Sequence, residues 1–239
     1  MSDIRKQLDI LFSKWRQKEL HSRCKPFIKD GIVNEDIWQK NTFDKKFLFV
    51  LKEAYGKNDE NDWYLNDWLN EEDPKDPKDP KGYKQDQTWK VIIKWVRGLR
   101  GTTNNYILPY DANYNDYSIL KKIAVMNLKK SNGKPQSNNK SIKSYVTEDK
   151  YEIIKEIELI DPGVIISCTN KLYIDDICNN SITNKKPNDS GFYYSSCIGK
   201  KNRLFIGYNH PAAHIKKSCH YYKLMKIYQQ ALINKNIIK

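Results

Sequence analysis

Four short apolar runs punctuate this chain, each too brief for a core helix and too uniformly apolar for a strand with one wet face. They are Phe47-Leu48-Phe49-Val50-Leu51, Ile123-Ala124-Val125-Met126, Val164-Ile165-Ile166-Ser167-Cys168 and Arg203-Leu204-Phe205-Ile206-Gly207. A strand that is apolar at consecutive positions must be buried on both faces, as in a parallel sheet covered by helices. The intervening segments supply those helices. Ile4, Leu8, Leu11, Phe12 and Trp15 recur at helical spacing over residues 4–20. Trp89, Ile92, Ile93, Val96 and Leu99 do the same over Thr88 to Leu99, with Gly98 and Gly101 near the end. Glu148 to Ile160 and Ala213 to Asn234 read as two further helices. Strands alternating with helices predict an α/β fold, here a single domain over residues 1–239 with an N-terminal helical segment at 1–24.

Two segments break the pattern. Asp73 to Lys81 repeats Asp-Pro-Lys, and proline with alternating charge suits neither helix nor central strand, so residues 57–86 are expected to be an exposed insertion. Residues 129–144 are mostly Lys, Asn, Ser and Gly, and are expected to be a basic loop. The apolar share of 39%, with 6 Trp, 16 Tyr and 7 Phe, suffices for a packed core. No stretch approaches the ~18 apolar residues of a membrane span. The opening Met1-Ser2-Asp3-Ile4-Arg5 is not followed by a leader-like apolar run, so a cytoplasmic protein is expected. Cys24, Cys168, Cys178, Cys197 and Cys219 are odd in number, scattered and without a C-x-x-C pair. This predicts reduced, mostly buried thiols rather than a disulfide framework or zinc site. The net charge of +13 attracts polyanions, nucleic acid first among them, although only 6 of the 42 basic residues are Arg and a lysine-rich composition alone would give the same sign.

In a parallel sheet ligands bind outside the carboxyl ends of the strands. Four strand ends here deliver Glu53, Asn127, Thr169-Asn170 and His210 to one rim. A carboxylate there can orient and polarise a water. An Asn amide offers one donor and one acceptor, which suits the edge of a nucleobase or a turn cap alike. An imidazole at a strand end, followed by Pro211, can donate to a developing oxyanion or serve as a structural histidine.

These residues stand in motifs similar to those of the uracil-DNA glycosylase superfamily. Lys52-Glu53-Ala54-Tyr55-Gly56 resembles the Gly-Glu-Ala-Pro-Gly motif of one branch, and Met126-Asn127-Leu128-Lys129 its later Asn motif. Ile160-Asp161-Pro162-Gly163-Val164-Ile165 resembles its "Pro-x-Val-Ile" strand, and His210-Pro211-Ala212-Ala213 its closing His-Pro-Ala/Ser-Ala. The four occur in order over about residues 45–230. The resemblance implies a three-layer α/β/α sandwich around a central, mainly parallel four-stranded sheet. It implies a monofunctional DNA glycosylase, a monomer that flips a pyrimidine and hydrolyses its glycosidic bond. Glu53 then matches the residue that positions or activates water, Asn127 the reader of the Watson–Crick edge, and His210 the donor to base O2. Ala54, Tyr55 and Gly56 line the base. Trp89 is the candidate stacking aromatic, with Trp63 and Tyr64 behind it; a core role for Trp89 is the alternative. Lys129, Lys130, Lys134 and Lys140 in one loop, with Pro211, Ala212, Ala213, His214, Lys216 and Lys217 after the His, are expected to face DNA. His214 and Ile215 occupy the place of the family's wedge.

The departures matter as much. Only Cys24 precedes the first motif and Lys130 stands near a cysteine position of the iron–sulfur branch, so no cluster and no cofactor are expected. Gly56 stands where the uracil-specific enzymes have a Tyr that blocks 5-substituted pyrimidines. The expected substrate is therefore uracil or a C5-modified cytosine, such as the hydroxymethyl- or glucosyl-hydroxymethylcytosine of phage DNA, which would make the enzyme a phage-defence protein. The rival readings are a metal-dependent nuclease using Glu53 with Asp111 or Asp116, and a nucleic-acid-binding module without catalysis.

Overall fold

The computed structural model describes residues 3–22, 26–54, 61–71, 86–133, 137–169, 173, 177, 183–188 (backbone) and 191–234. In chain order its helices are α1 (Asp3–Arg16), α2 (Glu19–Ser22), α3 (Glu35–Gln39), α4 (Leu65–Asn70), α5 (Gln87–Gly101), α6 (Asn139–Glu148), α7 (Lys150–Ile160) and α8 (Lys217–Ile233). The strands are β1 (Ile28–Lys29), β2 (Gly31–Ile32), β3 (Phe47–Glu53), β4 (Trp63–Tyr64), β5 (Ala124–Lys129), β6 (Val164–Ser167), β7 (Thr183–Asn188), β8 (Gly191–Ile198) and β9 (Lys201–Gly207).

The main sheet has the order β2-β5-β3-β6-β9-β8-β7. Its centre, β5-β3-β6-β9, is parallel throughout and consists of the four apolar runs. The sheet is mainly parallel at its core but has seven strands among the described residues, not four: β2 pairs antiparallel with β5, and the hairpins β9–β8 and β8–β7 extend the other edge antiparallel. Strand alternation divides the side chains between two layers. Phe47, Phe49, Leu51, Val125, Ile166, Leu204 and Ile206 pack against α5 and α8. Leu48, Val50, Met126, Ile165 and Phe205 pack against α1, α6 and α7. Each such residue, fully buried, contributes about 1.5–3 kcal/mol of transfer free energy, which explains why both faces must be helical.

Helix α5 begins at Asp86, whose carboxylate accepts the Thr88 N–H. It touches α8 closely at Gly98: a Cβ there would lie 2.5 Å from Tyr221 Oη and 2.6 Å from Met225 Sδ, so only glycine permits the approach. Two segments differ from expectation. The supposed basic loop contains α6, capped by Asn138 and anchored by buried Ile142, Tyr145 and Val146. Part of the supposed exposed insertion is structured: β4 pairs with β1, and α4 buries Leu65, Asn66 and Leu69. The Asp-Pro-Lys repeats lie outside the described residues. Of the three described cysteines, Cys168 is buried whereas Cys197 and Cys219 are exposed, against the expectation of mostly buried thiols. No helix among the described residues is long and apolar enough to cross a membrane.

Candidate active site at the carboxyl rim of the sheet

The parallel registers align the strand ends. Leu51 stands opposite Asn127 and Glu53 opposite Lys129 across β3 and β5, while Val50, Ser167 and Gly207 align across β3, β6 and β9. With neighbouring strands about 4.8 Å apart, the four ends span about 15 Å. Because side chains alternate, Leu51, Glu53, Asn127 and Lys129 project from one face, the face covered by α5 and α8.

Glu53 closes β3. Its side chain is only 5% exposed, and its Oε2 accepts from Lys129 Nζ at 2.7 Å. Lys129 also reaches the Asn132 carbonyl at 3.2 Å. The segment after β5 folds back over this carboxylate: Gly133 N–H donates to Ala54 O at 2.7 Å. A Cβ at Gly133 would meet Glu53 Cγ at 2.5 Å, so a glycine is required for the loop to lie against the carboxylate.

Asn127 is fully buried. Its backbone N–H and its Nδ2 both donate to Asp30 Oδ2, at 2.7 and 3.2 Å. The other oxygen of Asp30 accepts from Lys130 Nζ at 2.5 Å, and the same ammonium lies 2.7 Å from Glu156 Oε2. Asp30, Lys130 and Glu156 are all at most 1% exposed. Burial pushes the Glu156 carboxyl well above its usual range; Lys130 opposes this and Asp30 adds to it.

His210 lies three residues beyond β9. The strand is continued by the Tyr208 N–H, which donates to Ser167 O at 2.8 Å. The His-Pro turn then closes on itself, Ala213 N–H donating to the His210 carbonyl at 2.9 Å. Ala212 N–H donates to His210 Nδ1 at 3.2 Å, which makes Nδ1 an acceptor and places the proton of the neutral ring on Nε2. Burial, with the positive charge of Lys52, pushes the imidazole pKa down, and Asp86 partly counters it. The ring is therefore neutral at neutral pH.

No protein-family model matches this chain, and no curated protein matches it.

The remaining sequence candidates divide three ways. Tyr55, Gly56 and Lys134 lie outside the described residues, as does Asn170. Ala54 and Ala213 are half-buried and Pro211 is buried, whereas Ala212, His214, Lys140, Lys216 and Lys217 are exposed. Three candidates change role. Lys130 cannot face DNA, because it is buried between two carboxylates and over the rings of Phe12 and Trp15. Lys129 is turned inward to Glu53 instead of toward a phosphate. Trp89 is 4% exposed and belongs to the core between α5 and the sheet, which favours packing over base stacking. Tyr64 is committed elsewhere, its ring under Arg5 and its hydroxyl donating to Asp9 Oδ1 at 2.5 Å. Asp111 accepts from the Asn113 N–H and Asp116 from the Ser118 N–H, so each is used by its own turn. Asp30 was missed altogether. A lone Asp before Gly31 reads as a turn residue, and only the antiparallel pairing of β2 with β5 brings it to Asn127.

Proposed function

We propose that this chain is a DNA glycosylase related to the uracil-DNA glycosylase superfamily, which flips a pyrimidine from DNA and hydrolyses its N-glycosidic bond to leave an abasic site. The observation that carries the reading is His210: a half-buried, neutral imidazole whose Nδ1 accepts the Ala212 N–H, beside a rim that also holds Glu53 and Asn127. Heterolysis of the bond between C1′ and N1 leaves the electron pair on the base, with negative charge at O2. A preorganised N–H donor aimed at that oxygen stabilises the charge as it develops. Glu53, held by Lys129, orients the water that adds to C1′ and accepts its proton. Asn127 meets the Watson–Crick edge.

Extruding a base costs a few kcal/mol, and phosphate contacts supply part of it. Exposed Lys216 and Lys217 at the start of α8, with Lys140 at the start of α6, suit that role, since helix N-termini favour phosphate. The substrate is uracil or a C5-modified cytosine; the second would make the protein an anti-phage enzyme. The Glu53–Lys129 ion pair favours one second reading, a DNA-binding module in which the carboxylate is structural.

Duplex and single-stranded DNAs containing uracil, cytosine, hydroxymethylcytosine or glucosyl-hydroxymethylcytosine, treated with the protein and then with alkali, separate these readings. Cleavage at one base type and not in its absence is expected. DNA binding with no alkali-labile site in any substrate would establish the binding module instead.

A further inference from the structure

Three lysines stand at the ends of β3 and β5, and they differ in what holds them. Lys129 pairs with Glu53, and Lys130 with Asp30 and Glu156. Lys52 is held differently. It is the penultimate residue of β3, and strand alternation turns it to the face opposite Glu53, toward α6. There its Nζ donates to Asn139 Oδ1 at 3.2 Å, a neutral acceptor, and no carboxylate among the described residues pairs with it. Asn139 is the first residue of α6, so the amine stands by the positive end of a helix of 10 residues. Lys52 is half-buried, and burial pushes its pKa down, which the adjacent Glu53 only partly counters. The missing counter-ion, the helix N-terminus and burial each favour the neutral amine, the form in which lysine is a nucleophile. The Lys52 charge also bears on the His210 imidazole, so this amine belongs to the same rim.

We propose that Lys52 is a Schiff-base nucleophile for the open-chain aldehyde of an abasic deoxyribose, which gives the protein a lyase activity that nicks the strand. The neutral Nζ adds to C1′, and the aldehyde oxygen departs as water, leaving a protonated imine. That cation acidifies C2′. The C2′ proton passes to water, its electron pair forms the C2′–C3′ double bond, and the C3′–O3′ bond breaks with the phosphate as leaving group. Water then hydrolyses the imine and returns the amine. One DNA fragment ends in an unsaturated aldehyde and the other in a 5′ phosphate. The aldehyde is the product of the proposed base release, so the choice of substrate rests on the glycosylase reading. The nucleophile is argued from its own surroundings, and it goes beyond the expectation of a monofunctional enzyme.

DNA carrying a preformed abasic site, single-stranded and duplex, tests the lyase without requiring base release. The full chain is mixed with it in the presence of sodium borohydride, which reduces an imine to a stable amine link. A protein–DNA adduct on denaturing gels is expected, with the link mapped to Lys52 by peptide mass spectrometry. Without borohydride, a nick at the abasic site is expected instead. Lys52→Arg keeps the charge but cannot form the imine, and should lose both adduct and nick by at least about tenfold. Lys52→Gln, which removes the amine, is expected to do the same, and the mapped position on the native protein stands even if either variant unfolds. No adduct with the native protein, or an adduct mapped to another amine, overturns the proposal. So does an adduct at the native level in Lys52→Arg. Parallel incubation with uracil-type and cytosine-type DNAs separates the two readings. An adduct at the preformed site with no base release removes the glycosylase reading and leaves the lyase; base release without an adduct does the reverse.

Discussion

The ammonium of Lys130 sits 5.3 and 4.9 Å from the ring centroids of Phe12 and Trp15, between the carboxylates of Asp30 and Glu156. One cation cannot neutralise two buried anions, so Glu156 keeps its proton well above the ordinary glutamate range. The sign of the pH effect follows. A group whose folded pKa is raised contributes stability that is complete below its unfolded value, near 4.5, and is lost as pH rises through the folded value. Glu156→Gln preserves the neutral form, so its melting temperature relative to the native protein is expected to rise as pH climbs above about 4.5. Lys130→Ala strands Asp30 and is expected to cost about 3–5 kcal/mol in urea unfolding. A Glu156→Gln variant that loses stability as pH rises, or a near-neutral Lys130→Ala, would contradict this assignment. None of it is visible along the chain, where Asp30 precedes a glycine and Lys130 stands in a run of lysine, serine and asparagine. Glu53, Asn127 and His210 are legible because each stands at or within three residues of the end of an apolar strand, and strand ends of a parallel sheet share a rim.

At the scale of elements, continuity of apolar character decided what the sequence could reveal. Strands β3, β5, β6 and β9 are buried on both faces and stand out without any alternation pattern. The edges do not: β2 has two residues, and β7 reads Thr-Asn-Lys-Lys-Pro-Asn, a polar strand whose proline an edge tolerates. Strand β8 carries Phe192, Tyr193 and Tyr194, a signal that reads as a strand only once its pairing with β9 is known. Helix α6 was hidden by its polar face, although Asn138 and the spacing of Ile142, Tyr145 and Val146 mark it. Helix α8 makes its own prediction. His220 is buried between Trp95 and Tyr208, at ring distances of 4.9 and 5.1 Å, and its Nε2 has no hydrogen-bond partner among the described residues. Burial, with His210 and Lys223 nearby, lowers its pKa from 6.5 to about 4. As pH falls through 6.5 the unfolded chain takes up a proton that the folded one refuses until about 4, so stability drops across that window. Thermal melts from pH 7 to 4.5 should show a shallower decline for His220→Phe than for the native protein. Parallel profiles would show that this histidine does not set the acid sensitivity.

For the molecule as a whole, a seven-stranded sheet with helices on both faces gathers the ends of its parallel strands on one rim and places the start of α8 there, under exposed Lys216 and Lys217. In the proposed reading, the formal charge of +13 draws DNA to the protein without choosing a base. In that same proposal, choice and chemistry are assigned to Asn127, Glu53 and His210. The central claim is that His210 and Glu53 act on the glycosidic bond, and single-turnover release of base from uracil-containing DNA measures it most directly. The account predicts that the native protein creates abasic sites. His210→Ala and Glu53→Ala should each slow release by about 10²–10³-fold while salt-sensitive DNA binding stays within about twofold of native. Release at the native rate by both variants would contradict it.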